Sequence, residues 1–295
     1  MKWQDGLALV VLAAMWGASF LFMRTATPEF GAIALVAVRT GIAAMCLIPI
    51  MMMRRKWPDF VLYWRPILFV GVVNTAIPFC LFSYATVHLG AGFGAILNAT
   101  APMFGALMAV VWLHDKLGIS GVLGLIVGFI GVVVVSSLRV DEGAISGLLP
   151  IAAALCATTS YGIAACYTKK RLAGVSTLAI ATGSQIMAAL VLAPLAAMTW
   201  PQTLPSASAW TQVAVLGVAC TGLAYLLYFR LIENVGAAKA MTVGYLVTVF
   251  GVLWGILFLD EVLYPRLIVG AALIIIGVSM TTGWLRWRRI AARAS

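Results

Sequence analysis

Charge is what this 295-residue chain has least of: Asp, Glu, Lys and Arg together make 9% of it, against 63% hydrophobic residues. Ordinary soluble domains are roughly 25% charged and 45 to 50% apolar, so a water-soluble fold cannot hide this much apolar surface. Histidine is scarcer still, with only His88 and His114, which are expected at opposite faces of a membrane. Neither can act as base to a serine at the midplane, and two histidines without carboxylate help do not make a catalytic metal site. No HExxH and no paired aspartates occur inside an apolar run, and Cys46, Cys80, Cys156, Cys166 and Cys220 show no CxxC spacing. These cysteines read as small apolar residues rather than disulfides or ligands. Connections between apolar runs are mostly about five to ten residues, too short for an attached soluble domain. The expectation is a chain that is not an enzyme and uses no cofactor or metal.

What the chain has instead is apolar runs of membrane length. About 20 apolar residues span the hydrocarbon core as a helix, and in lipid the helix satisfies its own backbone. Ten spans are predicted, at about 6–23, 31–53, 65–86, 91–113, 119–137, 145–168, 176–198, 208–231, 236–258 and 266–285. The fold class is therefore an all-α polytopic membrane protein with ten transmembrane helices. The first segment, with Trp16 in it, is expected to be retained rather than cleaved as a signal peptide. Basic residues gather on one side: Lys2, the Arg54-Arg55-Lys56 cluster, Lys169-Lys170-Arg171 and the tail from Arg286 to Arg293, against Arg24, Arg139 and Arg266 on the other. Positive loops face the cytoplasm, so both termini are expected there, in a bacterial inner membrane. The +10 net charge then serves topology and anionic lipid headgroups, and no nucleic-acid partner is expected.

The stretch from Gly90 to Val132 recurs without gaps from Gly236 to Val278, with about a quarter of positions identical. Each copy opens on Gly-Ala, passes Phe-Gly (Phe104-Gly105, Phe250-Gly251), meets a carboxylate between leucines (Asp115, Glu261), and closes in a Gly/Ile/Val run. Trp16-Gly17 and Arg24 are echoed by Tyr161-Gly162 and Lys169. Such a period marks an internal repeat, dividing the chain into units 1–138 and 139–295. Five spans per unit is an odd number, so the second unit starts on the opposite side and the two are inverted. Inverted repeats are a common construction of secondary transporters, with the substrate site between them near the midplane.

Trp16-Gly17, Arg39, the Ala85 to Leu117 segment with Pro102, and its partner Arg230 to Leu263 resemble the two EamA-type domains of the drug/metabolite transporter superfamily. The resemblance covers essentially the whole chain. It implies a 5+5 inverted arrangement and a central cavity lined mainly by the first, third, fourth, sixth, eighth and ninth spans. Within the superfamily the chain is most similar to bacterial amino-acid exporters, aromatic amino-acid exporters included. That implies export of amino acids or related small zwitterions by alternating access; carriers of sugar phosphates, nucleosides or amphipathic drugs share the fold. Two positions depart from the pattern: His114-Asp115-Lys116 stands where Gly-Glu-Arg is commoner, and Thr248 where a proline matching Pro102 is often found. The small multidrug members use a buried glutamate in the first helix, and the span from Gly6 to Met23 has none, so a facilitator, or coupling through some other group, is expected rather than that kind of proton antiporter.

Candidate site residues are the polar and aromatic groups at membrane depth. Pro78 and Pro102 are expected to kink their helices and free the carbonyls of Asn74 and Asn98. The two asparagines then either line a cavity or join helices by side-chain hydrogen bonds. Trp16, Phe20, Phe79, Phe82, Tyr161, Tyr225, Tyr228 and Tyr245, the last with Thr242 beside it, are expected to form an aromatic wall that suits an apolar amino acid and its ammonium, each aromatic having lipid-facing or core packing as its alternative. Arg39, inside the second span, either pairs or snorkels, or meets a substrate carboxylate or gate; Lys239 is a second possible charge at a span end. Small-molecule substrate and bilayer are the expected partners, for a monomer or weak homodimer.

Overall fold

The computed structural model describes residues 3–140, 145–236 and 240–283. Among them every regular element is helical. Helix α1 (Trp3–Phe30) turns at Gly31 into α2 (Ala32–Met53), and α3 (Trp57–Leu62) is a short connecting turn. The third long unit is interrupted: α4 (Trp64–Gly71), a π-helical turn (Val72–Ala76), then α5 (Ile77–Leu89). The fourth is interrupted by a tight turn at Ala99-Thr100 between α6 (Ala91–Asn98) and α7 (Ala101–Leu113). Then come α8 (Ile119–Val140), α9 (Ile145–Arg171) and α10 (Thr177–Met198). A second interrupted unit is built from α11 (Ala207–Gly217), a π turn (Val218–Leu223) and α12 (Ala224–Val235). Last are α13 (Val243–Leu259) and α14 (Pro265–Thr281). By length and composition eight stretches of the described residues can cross a membrane, whereas α13 and α14, at 17 residues each, are shorter apolar helices.

Both prolines sit where a helix departs from regular geometry. Pro78 lies at the start of α5 directly after a π turn, and Pro102 in the first turn of α7 after a break at Ala99-Thr100. At Pro102 the missing N–H falls in the first turn after the break, where it has no helical partner; at Pro78 the helix runs on from the π turn, whose closing bond is Ile77 N to Val72 O. The break is bridged by short-range bonds, Ala99 N to Ile96 O at 3.1 Å and Thr100 N to Leu97 O at 3.0 Å. The Thr100 hydroxyl also donates to Leu97 O at 2.7 Å. In the second copy Thr248 sits within α13 and donates to Ala95 O at 3.3 Å and Gly244 O at 3.4 Å. Its hydroxyl ties the two crossing segments together where the first copy has a proline.

Local geometry repeats at the spacing of the sequence repeat. The two π turns begin 146 residues apart, and α2 and α10, each of 22 residues, begin 145 apart. Gly90 and Gly236 hold positive φ (109° and 84°), and His114 and Asp260 are left-handed helix ends (φ 57° and 52°), both pairs 146 residues apart. The helices also exchange neighbours. A β-carbon on Gly17 would stand 2.8 Å from the Gly251 nitrogen, and one on Gly162 would stand 2.9 Å from the Gly105 nitrogen. Along α8 and α14 a β-carbon on Gly124 would lie 2.6 Å from the Gly277 oxygen, and one on Gly131 would lie 2.8 Å from the Gly270 oxygen. Numbers rise on one helix as they fall on the other, so this backbone-to-backbone seam is antiparallel. Small residues are what allow such an approach in a membrane.

The seam gives a direct stability prediction. A side chain at Gly277 would meet Gly124 O at 2.5 Å, backbone that cannot swing aside, whereas one at Gly105 would find nothing within 4 Å. Gly277→Val is expected to destabilise the detergent-purified protein by about 1–3 kcal/mol, the range for overpacking, and Gly105→Ala by much less. Thermal midpoints monitored by size-exclusion chromatography check this; equal midpoints for the two variants would show that the seam is loose.

Candidate functional site

A cavity of about 380 Å³ opens beside the break between α6 and α7, walled in part by residues that follow the two π turns. Its walls come from α1 (Trp16, Ser19, Phe20, Met23), α2 (Arg39), α5 (Phe79, Phe82), α9 (Tyr161) and α12 (Tyr225, Tyr228). Asn98 and Ala101 flank the break between α6 and α7, and Gly244 and Val247 come from the start of α13. A π turn inserts one residue into the helical register, which rotates the remainder of the helix by about 100°. Phe79 and Phe82 come after one such turn, Tyr225 and Tyr228 after the other, and each pair is spaced to share a helix face. The rings meet tilted or edge to face: Trp16 on Tyr228 with centroids 5.2 Å apart, Trp16 on Tyr225 at 6.3 Å, and Phe20 on Phe82 at 5.6 Å. Phe82 is stacked on Tyr161 at 6.3 Å.

Arg39 is the one cation among the described residues that line this cavity. It is 3% exposed and so does not snorkel to the membrane surface. Its Nε donates to Thr221 Oγ1 at 3.0 Å; Ser19 Oγ lies 3.5 Å and Met23 Sδ 3.6 Å from its terminal nitrogens. Its Cζ stands 4.1 Å from the Phe79 ring centroid. Thr221 belongs to the second π turn, where its hydroxyl donates to Leu216 O at 2.8 Å. That hydroxyl therefore fills the widened turn and receives the guanidinium at once. All of these partners are neutral, so a buried positive charge is held by a hydroxyl, a ring face and long contacts. Such a charge is costly when uncompensated, with the cation–π contact offsetting part of it.

Of the residues singled out in the sequence, the cavity brings together Trp16, Phe20, Arg39, Phe79, Phe82, Asn98, Tyr161 and Tyr225. It does not include Asn74, Pro78, Pro102, Thr242 or Tyr245. Asn74 lies in the first π turn, Pro78 is buried at the start of α5, and Pro102 is exposed. Thr242 immediately precedes α13, and the Tyr245 hydroxyl is 3.4 Å from Thr282 Oγ1. Lys239 lies outside the described residues. Tyr228 lines it as well, and Gly244 enters as the repeat partner of Asn98. Ser19, Met23, Ala101 and Val247 were not anticipated in the site. The last two are partners in the repeat: a spacing of 146 carries Ala101 to Val247, as it carries Phe79 to Tyr225 and Phe82 to Tyr228, and a spacing of 145 carries Trp16 to Tyr161.

A larger recess of about 430 Å³ lies at one end of the bundle, over the loop before α14. Its polar groups are already committed to one another. The Glu261 carboxylate accepts from Ala91 N at 2.7 Å and Gly92 N at 2.9 Å, capping α6, and lies 3.5 Å from Arg24 Nε. Arg24 in turn donates to Thr86 O at 3.0 Å. The positions related by the repeat, Asp115 and Lys169, also pair, at 3.3 Å, but their side chains are 54% and 67% exposed against 20% and 34% for Glu261 and Arg24. One pair is a sheltered clamp and the other a solvated contact.

That difference is measurable. Removing Glu261 leaves two helix-start amides without an acceptor, about 1–3 kcal/mol where such donors are buried, whereas an exposed ion pair contributes about 0–1 kcal/mol. Glu261→Ala is therefore expected to lower the thermal midpoint and accelerate hydrogen exchange at Ala91 and Gly92. Asp115→Ala should leave the midpoint nearly unchanged; the reverse ranking would contradict the assignment of the clamp.

Comparisons with known proteins agree with this architecture. The model of the EamA-like transporter family matches the chain twice, over residues 5–137 and 148–283. An uncharacterized transporter of Archaeoglobus fulgidus is 22% identical over 279 residues, 94% of this chain and 97% of its own length. A probable terminal-alkyne amino-acid exporter of Streptantibioticus cattleyicolor is 24% identical over 278 residues, 92% of this chain and 91% of its own. One solved crystal structure superposes with a TM-score of 0.66 at 19% identity, covering 97% of this chain and all of that one, a likeness of fold. With both matches together spanning nearly its whole length, the chain belongs to the EamA-like transporter family.

Proposed function

We propose that this transporter is a secondary carrier exporting small metabolites with a carboxylate and an apolar body, apolar amino acids among them, by alternating access through the aromatic cavity. The observation that carries this reading is the cavity itself. It is lined by rings from both units, has one buried cation in its wall, and is flanked by the break between α6 and α7, with two of its ring pairs following the π turns. Rings and a few placed polar groups are the usual make-up of a small-molecule site, and interrupted helices at such sites are a recurrent feature of carriers. The amino-acid part of the reading is further supported by the exporter from Streptantibioticus, at low identity.

The moving parts are taken to be two units, 1–138 and 139–295, each of five spans and inverted relative to the other, in a bacterial inner membrane with both termini in the cytoplasm. Support comes from the antiparallel α8–α14 seam and from the reciprocal packing of Gly17 on Gly251 and Gly162 on Gly105. Rocking about that seam would open one end while the other stays shut. The sheltered Arg24–Glu261 pair and the solvated Asp115–Lys169 pair occupy matching positions at the ends of this scheme. The carrier is taken to act as a monomer or weak homodimer.

The test is counterflow of labelled L-phenylalanine in proteoliposomes, with Trp16→Ala and Tyr161→Ala compared with wild type at equal reconstituted amounts. Each loses a ring from the cavity wall and is expected to reduce the initial rate about tenfold or more, the effect of roughly 1.4 kcal/mol. Unchanged rates in both would remove the cavity from the transport path.

A further inference from the structure

Within the carrier reading, on which this inference rests, the cavity's charge is distributed differently from its shape. Its shape is built in pairs at the repeat spacing: Trp16 with Tyr161, Phe79 with Tyr225, Phe82 with Tyr228. Its charge is not. The 145-residue spacing that superimposes α2 on α10 puts Ser184 opposite Arg39, and Ser184 is a buried hydroxyl bonded to its own helix at Ile180 O, 2.6 Å away. Helix α10 therefore packs in the same role without a cation, so holding the helices does not require the arginine.

The guanidinium is also incompletely used. Five N–H donors meet one hydrogen bond of ordinary length, to Thr221, and two contacts of 3.5 and 3.6 Å. No carboxylate is among the described residues lining the cavity. Asp5, Glu29, Asp115 and Glu261 are engaged elsewhere, with Asn234, Ser206, Lys169 and Arg24. A planar fork of donors fits a carboxylate with two parallel bonds. An ammonium entering the same space would find ring faces, an amide and a hydroxyl, and would be repelled by Arg39.

We propose that the group recognised here is a carboxylate seated on Arg39, that the site offers no counter-charge to an ammonium, and that the preferred substrates are organic monocarboxylates with a flat apolar body. Zwitterionic amino acids are weaker members of that class. Dianions such as sugar phosphates are disfavoured, since one cation cannot balance two charges.

Three ligands of one skeleton separate the possibilities: 3-phenylpropionate, L-phenylalanine and phenethylamine. Each competes against labelled 3-phenylpropionate for the purified protein. The expected order has 3-phenylpropionate about tenfold or more tighter than L-phenylalanine, with phenethylamine not competing. Arg39→Gln is expected to weaken 3-phenylpropionate by about 10- to 100-fold and to erase the ranking, and Arg39→Lys to recover part of it. L-phenylalanine binding as tightly as 3-phenylpropionate, no binding of 3-phenylpropionate at all, or unchanged affinity in a folded Arg39→Gln protein would each overturn the proposal. If the glutamine variant does not fold, the wild-type ranking decides alone. Counterflow with the same ligands is measured separately. Binding in the expected order without counterflow sinks the carrier reading and leaves the recognition; brisk counterflow with L-phenylalanine preferred does the reverse.

Discussion

A helix in lipid can be interrupted only where something else takes up its backbone bonds, and the site of this protein is made of such interruptions. The two π turns and the Ala99-Thr100 break lie inside the bundle, and hydroxyls repair two of them: Thr221 onto Leu216 O and Thr100 onto Leu97 O. The repair does more than satisfy a carbonyl. Thr221 is at the same time the closest partner of Arg39, so the defect in one helix fixes the charge on another. The rotated register beyond each π turn then turns two aromatic pairs toward a common space. Backbone irregularity, ring placement and charge placement are thus a single arrangement.

Two acid–base pairs at matching repeat positions differ in solvation. Each has a carboxylate just after a left-handed residue, His114 before Asp115 and Asp260 before Glu261, and each carboxylate meets a basic residue from the other half of the chain. In one pair the acid also caps α6 and is sheltered; in the other it is solvated. An exposed pair is screened by salt within about a Debye length, and a sheltered pair with two amide donors is screened less. Glu261 and Arg24 therefore hold their helices more firmly than Asp115 and Lys169 hold theirs.

Much of this was legible in the chain. Apolar run lengths located the helices closely: the predicted 31–53 and 176–198 became Ala32–Met53 and Thr177–Met198. Most of the candidate cavity residues meet in one space, because aromatic and polar side chains at membrane depth have few other reasons to be there. How the prolines act was not legible. A proline reads as a kink in a continuous helix, but whether the chain bends there, widens beforehand or breaks depends on neighbours that can absorb the freed groups. Pro78 and Pro102 ended at helix starts, and Asn74 was left in a π turn. Tyr245 failed for another reason. The second crossing segment turns at Met241-Thr242, ahead of the positions 245 and 246 that match the break at Ala99-Thr100, so Tyr245 already belongs to a helix and its side chain falls on a different face. Arg39 could be placed in a span but not given a partner, since Thr221 is 182 residues away.

In the α8–α14 seam Gly124 meets Gly277 and Gly131 meets Gly270, so each glycine of one unit touches the counterpart of its neighbour in the other. Contacts of that form are isologous, the kind made between two identical subunits across a two-fold axis. A half-length chain carrying α8 would already possess both faces of this interface, and two copies could meet through it as an antiparallel pair. Joining the copies into one polypeptide would require only a linker, after which each half was free to diverge. Arg39 facing no equivalent in α10 is the kind of divergence that a symmetric pair of identical chains could not have held.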